Sequence, residues 1–123
     1  MREAWDNLLE FHERFSVPIG RVPAEPTPVR VAARWRRIEE EIGELRDAIT
    51  AGEVSGIAGE IADSIYTLIG AAVEYGIPLV DVWAEVHAAN MRKALNDDGD
   101  IIKPAGWKAP DVEGVLRDAG WRR

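Results

Sequence analysis

Cysteine is absent from this 123-residue chain. That excludes a disulfide framework and any thiolate metal site, and it fits a cytoplasmic protein. Histidine is scarce, with His12 and His87 as the whole supply. Neither completes a Glu-x-x-His pair, so a ferritin-like di-iron site is unsupported, and no H-E-x-x-H occurs. There is no P-loop and no dinucleotide glycine fingerprint. Lysine is limited to Lys93, Lys103 and Lys108, and 22 acids against 15 Lys and Arg leave a net charge of −7. That balance argues against a nucleic-acid surface or an anionic membrane surface. A long apolar run is also missing. The most apolar stretch, residues 61–80, is broken by Asp63, Glu74 and Pro78, which rejects a transmembrane reading. The first six residues, Met1 to Asp6, hold no signal-peptide hydrophobic region.

What remains reads as helix. The 46% hydrophobic content is ordinary for a globular chain, and the length is that of one domain, expected to span residues 1–123. No sustained period-2 alternation is present. A first helix is expected near residues 2–15, with Trp5, Leu8, Leu9 and Phe15 on its apolar side. Residues 17–28 follow as an extended arm, because Pro18, Pro23, Pro26 and Pro28 cannot all sit inside a helix. Thr27 and Pro28 form an N-cap and N1 pair for a second helix that ends at Gly52. Glu53 or Ser55 starts a third, which stops at Gly76. Pro78 opens a fourth that reaches about Leu95. The polar run Asn96 to Asp100 is a turn, and a short last helix runs from Asp111 to Asp118 within a tail over residues 96–123. The glycine of that polar run sits where a calcium loop needs one, but Ala94 then falls at the first ligand position, so it is no EF-hand.

Two of these helices carry the same acidic signature. Ile38, Ile42, Leu45 and Ile49 make an apolar stripe on the second helix, and Ile57, Ile61, Ser64 and Leu68 hold the matching places on the third. Glu41 and Glu60 then lie roughly 60° off their stripes, and Glu44 and Asp63 roughly 120° off on the same side. Packing by those stripes brings four carboxylates to one seam. Acids at i,i+3 are common on solvated faces, but such faces usually carry basic partners at helical spacing. Here only Arg46 is counted near Glu41 and Glu44, and neither Glu60 nor Asp63 has Lys or Arg within four residues. Carboxylates crowded together repel unless a cation lies between them, and the candidate is a hard divalent metal with oxygen ligands.

The third helix is apolar nearly all round, so it is expected to be buried on most sides. A chain this short lacks the helices to cover it, which implies a homo-oligomer. On the fourth helix the stripe Leu79, Val82, Val86, Ala89 continues into Asn90 and Lys93. That polar finish is either a solvated helix end or a ligand-facing tip. Beyond it, Lys103 and Trp107 form either a flap over a ligand or, for Trp107, a packing anchor.

The signature Glu40-Glu41-x-x-Glu44, a fifteen-residue gap, then Glu60-x-x-Asp63 resembles that of the all-α nucleoside triphosphate pyrophosphohydrolase superfamily. This group includes MazG-like proteins, dimeric dUTP pyrophosphatases and phosphoribosyl-ATP pyrophosphohydrolase. Glu10-Phe11-His12 before the arm, Glu60 to Tyr66, Ala84 to Lys93, and Lys103-Pro104-Ala105-Gly106-Trp107 are similar to a MazG-like subgroup associated with dUTP hydrolysis. Residues 8–118 carry the resemblance. The short spacer from Gly52 to Gly59 departs from it. The resemblance implies an all-α, four-helix-bundle-type fold completed by oligomerisation as a homodimer or homotetramer. It implies cleavage of a nucleoside triphosphate, dUTP foremost, to monophosphate and pyrophosphate. Magnesium, or manganese in its place, would be held by Glu41, Glu44, Glu60 and Asp63, with Glu40 or Glu41 as the base. Asn90, Lys93, Lys103 and Trp107 would contact substrate. Neither nucleic acid nor membrane is implied as a partner. The alternatives are a phosphoribosyl-ATP or dCTP pyrophosphohydrolase, or a non-catalytic helical adaptor of the same fold.

Overall fold

The computed structural model describes residues 1–122; Arg123, the last residue of the expected tail, lies outside the described residues. The fold is all-α with one small hairpin. Its helices are α1 (Arg2–Arg14), α2 (Pro28–Ala51), α3 (Val54–Glu74), α4 (Leu79–Met91) and α5 (Val112–Asp118), with β1 (Ala94–Leu95) and β2 (Ile101–Ile102) between α4 and α5.

Local chemistry sets most of these boundaries. Pro28 begins α2, where its fixed φ suits the first turn, but Thr27 makes no side-chain capping bond. Gly52, at φ +72, ends α2 in the left-handed conformation that glycine adopts without strain. Glu53 then caps α3, accepting from Ser55 N at 3.2 Å and Gly56 N at 2.9 Å. This tight turn folds α3 back along α2, and the α2–α3 pair is the most extensive helix contact in the chain. Asp111 caps α5 by accepting from Gly114 N at 3.0 Å.

The fourth helix is shorter than its apolar pattern predicts. It stops at Met91, and Ala94 and Leu95 pair antiparallel with Ile102 and Ile101. Asn96 drives the change. Its side-chain oxygen accepts from Asp98 N at 3.0 Å and Asp100 N at 2.9 Å, closing a turn that pulls the flanking residues out of helix.

The core is small. Leu8 of α1 packs on Ile69 and Val73 of α3, with Trp5, Leu9 and Leu79 around them. The proline arm crosses the end of α3, where Gly20 N donates to the Val73 carbonyl at 2.9 Å and Ala24 N to that of Tyr75 at 3.0 Å. The approach is backbone on backbone: a Cβ at Gly20 would lie 2.5 Å from Gly76 N. Among the described residues α4 touches α1, α3 and α5, but not α2.

The expected packing stripes need correction. Ile42, Ile49, Ile61 and Leu68 do not line the α2–α3 seam; they are exposed, together with Ile65. Ser64 of the expected α3 stripe does lie at the seam, buried with Glu41 and Thr67 and its hydroxyl 3.5 Å from the Glu41 carbonyl oxygen, while Ile38, Leu45 and Ile57 are half-buried. Both helices are apolar on more than one flank, and a single chain supplies each with a cover for only one. Within one chain α3 is covered mainly toward its C-terminal half, where Ile69, Gly70, Ala72, Val73 and Glu74 are buried. By length and hydropathy α3 is long enough to cross a membrane. Yet Glu60 and Asp63 face the seam, and Glu74 is ion-paired with α2.

A candidate metal centre between α2 and α3

The seam does gather the acids. Glu41 and Glu44 rise from α2 on successive turns, and Glu60 and Asp63 come from the returning α3. One carboxylate oxygen each of Glu41, Glu60 and Asp63 lies within 4.8 Å of the others. The Glu44 charge acts on both Glu41 and Glu60. Glu41 is buried, Glu60 half-buried, and Glu44 and Asp63 open to solvent, so the cluster is walled on one side and accessible on the other.

Its electrostatics are unbalanced. Burial raises the Glu41 carboxyl above its ordinary value, and the Glu44 charge adds to the effect. Burial likewise raises Glu60, followed by the charges of Glu44, Asp63 and Glu41. Oε2 of Glu41 and Oε2 of Glu60 are buried and accept no hydrogen bond. A buried acceptor left without a donor costs roughly 1–3 kcal/mol, more if charged. Two of them side by side, in a site offering only carboxylate oxygens, fit a hard divalent cation. Among the described residues the cation at the cluster is Arg37, whose Nε is 3.5 Å from Glu41 Oε1. Arg37 stands one turn before Glu41 and supplies the basic neighbour that the sequence reading assigned to Arg46. Arg46 pairs with Asp47 instead.

The remaining site residues fall elsewhere. Glu40 is exposed beside the cluster, 3.8 Å from Arg37. Lys93, Lys103 and Trp107 meet one another at the end of α4, the two ammonium groups lying 5.9 and 4.9 Å from the indole centroid. The Trp107 ring N–H donates to the Ala89 carbonyl at 2.8 Å, which makes it a packing anchor for the tail. Asn90 is exposed at the same helix end. Among the described residues no ion pair or side-chain hydrogen bond joins this group to the acids, so within one chain the basic tip and the acidic seam are separate groups.

A further polar group was not foreseen. Glu74 is buried and grips two arginines of α2: Arg30 at 2.5 and 3.0 Å, and Arg34 through a shorter contact of its Nε. Burial alone would raise the Glu74 carboxyl, but the two guanidinium hydrogen bonds outweigh it and hold it below its ordinary value. His12, also buried, gives its Nδ1 hydrogen to the Pro18 carbonyl at 3.0 Å and faces Arg34 at 3.4 Å. Burial pushes His12 below its ordinary value. The available signal was Glu74 itself, an acid in an apolar helix with no basic residue within four positions, and the i,i+4,i+7 spacing of Arg30, Arg34 and Arg37.

No curated protein matches the chain. The phosphoribosyl-ATP pyrophosphohydrolase family matches residues 8–90, from the buried Leu8 of α1 through all five acids to Asn90. The matched stretch covers about two thirds of the sequence and contains the whole acidic seam. The chain therefore belongs to the phosphoribosyl-ATP pyrophosphohydrolase family, within the MazG-like all-α superfamily, and is a pyrophosphohydrolase of that type.

Proposed function

We propose that this pyrophosphohydrolase acts on a nucleoside triphosphate, dUTP foremost, with a divalent metal held by Glu41, Glu44, Glu60 and Asp63. The observation that carries the reading is the pair of buried carboxylate oxygens without donors. A helical adaptor has no use for them, since a seam of neutral residues would be more stable. Magnesium or manganese bound there supplies counter-charge for the polyphosphate and lowers the pKa of an attacking water. The chain's own part is to hold four carboxylates at a groove open on one side. Of the two candidate bases, Glu41 has its carboxylate inside the cluster and Glu40 stands outside it. Phosphoribosyl-ATP, named by the family, and dCTP are the competing substrates.

The test is hydrolysis in oxygen-18 water with magnesium across a panel of nucleoside triphosphates. Label is expected in the monophosphate, with pyrophosphate as co-product, and activity is expected to vanish with chelator. Label in inorganic phosphate beside a nucleoside diphosphate, or activity that survives chelation, overturns the reading.

The working form is proposed to be a homodimer or homotetramer. Ile42, Ile49, Ile61, Ile65 and Leu68 leave an exposed apolar face on the α2–α3 pair, and a second copy is the economical cover. Ile65, half exposed in the single chain, is the probe. Ile65→Glu is expected to reduce the mass seen by light scattering to that of one chain. A wild type that is already monomeric and active contradicts the assembly.

A further inference from the structure

We infer that the cavity enclosed by α1, α2 and α3 receives the base end of the nucleotide, and that Arg34 selects a base presenting carbonyl oxygens, with Thr67 as a second polar contact of either sense. This inference rests on the proposed triphosphate chemistry and assigns specificity to a part of the groove that holds none of the acids. The cavity measures about 450 Å³, and its lining includes Phe11, His12, Arg34, Arg37, Tyr66 and Thr67.

Cavity and acid cluster are two stretches of one groove. On α2, Arg30, Arg34, Arg37, Glu41 and Glu44 succeed one another at steps of four and three, which is a single helix face. On α3, Gly70, Thr67, Asp63 and Glu60 do the same in the opposite direction. Arg37 belongs to both stretches: it lines the cavity and pairs with Glu41 at 3.5 Å. Seven residues separate Arg34 from Glu41, about 10 Å along the axis at 1.5 Å per residue. A ligand with its phosphates at the acids and a nucleoside along the groove places its base beside Arg34.

The polar groups in that cavity have hydrogen-bonding capacity to spare. Arg34 commits Nε to Glu74 and Nη2 to His12, and no described residue accepts from Nη1. The pose is fixed from behind. The His12 Nδ1 hydrogen goes to Pro18, so Nε2 is left as the acceptor for Arg34. Gly70 leaves the guanidinium room, since a Cβ there would lie 3.0 Å from Nη1. Thr67 is buried, and its hydroxyl has no side-chain hydrogen bond among the described residues. A guanidinium only donates, so its counterpart must accept. A carbonyl edge such as that of uracil satisfies it, whereas the exocyclic amine of cytosine would set donor against donor. Phe11 and Tyr66, edge to face at 5.5 Å, give the flat ring aromatic walls.

The experiment compares wild type, Arg34→Met and Thr67→Val on dUTP and dCTP, with inorganic tripolyphosphate as a competitor that has no base. Arg34→Met is expected to raise KM for dUTP about tenfold or more, the size of one lost charged hydrogen bond. Thr67→Val should raise it by a smaller factor. Preference for dUTP over dCTP should fall in Arg34→Met, while inhibition by tripolyphosphate stays as in wild type in both. Equal changes for dUTP, dCTP and tripolyphosphate make Arg34 a structural counter-ion of Glu74 and overturn the inference. If Arg34→Met fails to fold, Ala33→Leu narrows the same cavity without touching an ion pair. A raised KM for dUTP with tripolyphosphate inhibition intact then supports the inference, and an unchanged KM overturns it. A wild type that cleaves no nucleoside triphosphate overturns the proposed function itself, and this inference falls with it.

Discussion

Glu41→Gln is expected to cut turnover by roughly 10³-fold or more and, in the absence of metal, to raise the melting temperature. The first effect follows from losing a charged ligand at a site where a metal supplies several kcal/mol of transition-state stabilisation. The second has the opposite sign to most core substitutions. Glu41 is buried among Glu44, Glu60 and Asp63, and its raised carboxyl pKa means the folded state resists its ionisation. A group raised in the fold favours folding while protonated and opposes it once ionised. Wild type without metal should therefore lose stability relative to the variant as pH climbs past the ordinary carboxyl value of 4.5. The amide is nearly isosteric and brings two donors to a place where Glu60 Oε2 has none. Chelator-treated melting curves at several pH values, together with kcat/KM in magnesium, read both effects. A variant that is active, or that melts lower than wild type at neutral pH without metal, removes Glu41 from the proposed centre.

The acidic seam was legible because it depends on short-range geometry. The helix period sets Glu41 against Glu44 and Glu60 against Asp63, and the Gly52–Glu53 turn is so tight that it fixes how the two helices face each other. Arg37 is equally legible, one turn from Glu41 on the same helix face, whereas Arg46 falls on another face and pairs with Asp47. The orientation of the packing faces was not legible. Ile42 and Glu41 are neighbours about 100° apart, and both flanks of α2 offer enough apolar surface to look like a core stripe. Which flank turns inward depends on what else is available to bury, and here Ser64 and Thr67 accept the seam while Ile42 and Ile61 remain outside. The hairpin at the end of α4 was hidden by its two-residue strands, too short to show alternation.

The arginine–glutamate–histidine group was hidden by distance in sequence. Arg34 and Glu74 are 40 residues apart, and His12 is 22 residues from Arg34. No local pattern announces such a meeting. Its consequence for the site is direct, because Glu74 orients the same arginine face that continues into Glu41. The seam and the cavity therefore share one support at the far end of α3.

Glu74→Gln is accordingly expected to destabilise the fold by about 3–5 kcal/mol, the usual cost of removing one partner from a buried ion pair. The Glu74 side chain is 1% exposed, while Arg34 is 12% and Arg30 37% exposed. Water can reach Arg30 after the loss but hardly Arg34, so the lower half of that range is the expected result. A chain of this size should then melt about 10 °C lower. Asp47→Asn is the control, since its pair with Arg46 is exposed on both sides and should have no measurable effect. The pH dependence separates charge loss from simple repacking. Glu74 is held below its ordinary carboxyl value in the fold, so its contribution is full above 4.5 and is lost as pH falls through the lower folded value. His12 is also lowered, so its contribution is full above 6.5 and declines on acidification. The Glu74 charge partly offsets the lowering of His12, so Glu74→Gln lowers His12 further and the variant loses more than wild type through His12 as pH falls below 6.5. The gap between their melting temperatures should thus be fully present at neutrality, persist through the His12 range, and narrow as pH drops below 4.5, where Glu74 takes up its proton. A gap that stays constant across that range would mean the glutamate holds α2 and α3 together by its shape and not by its charge.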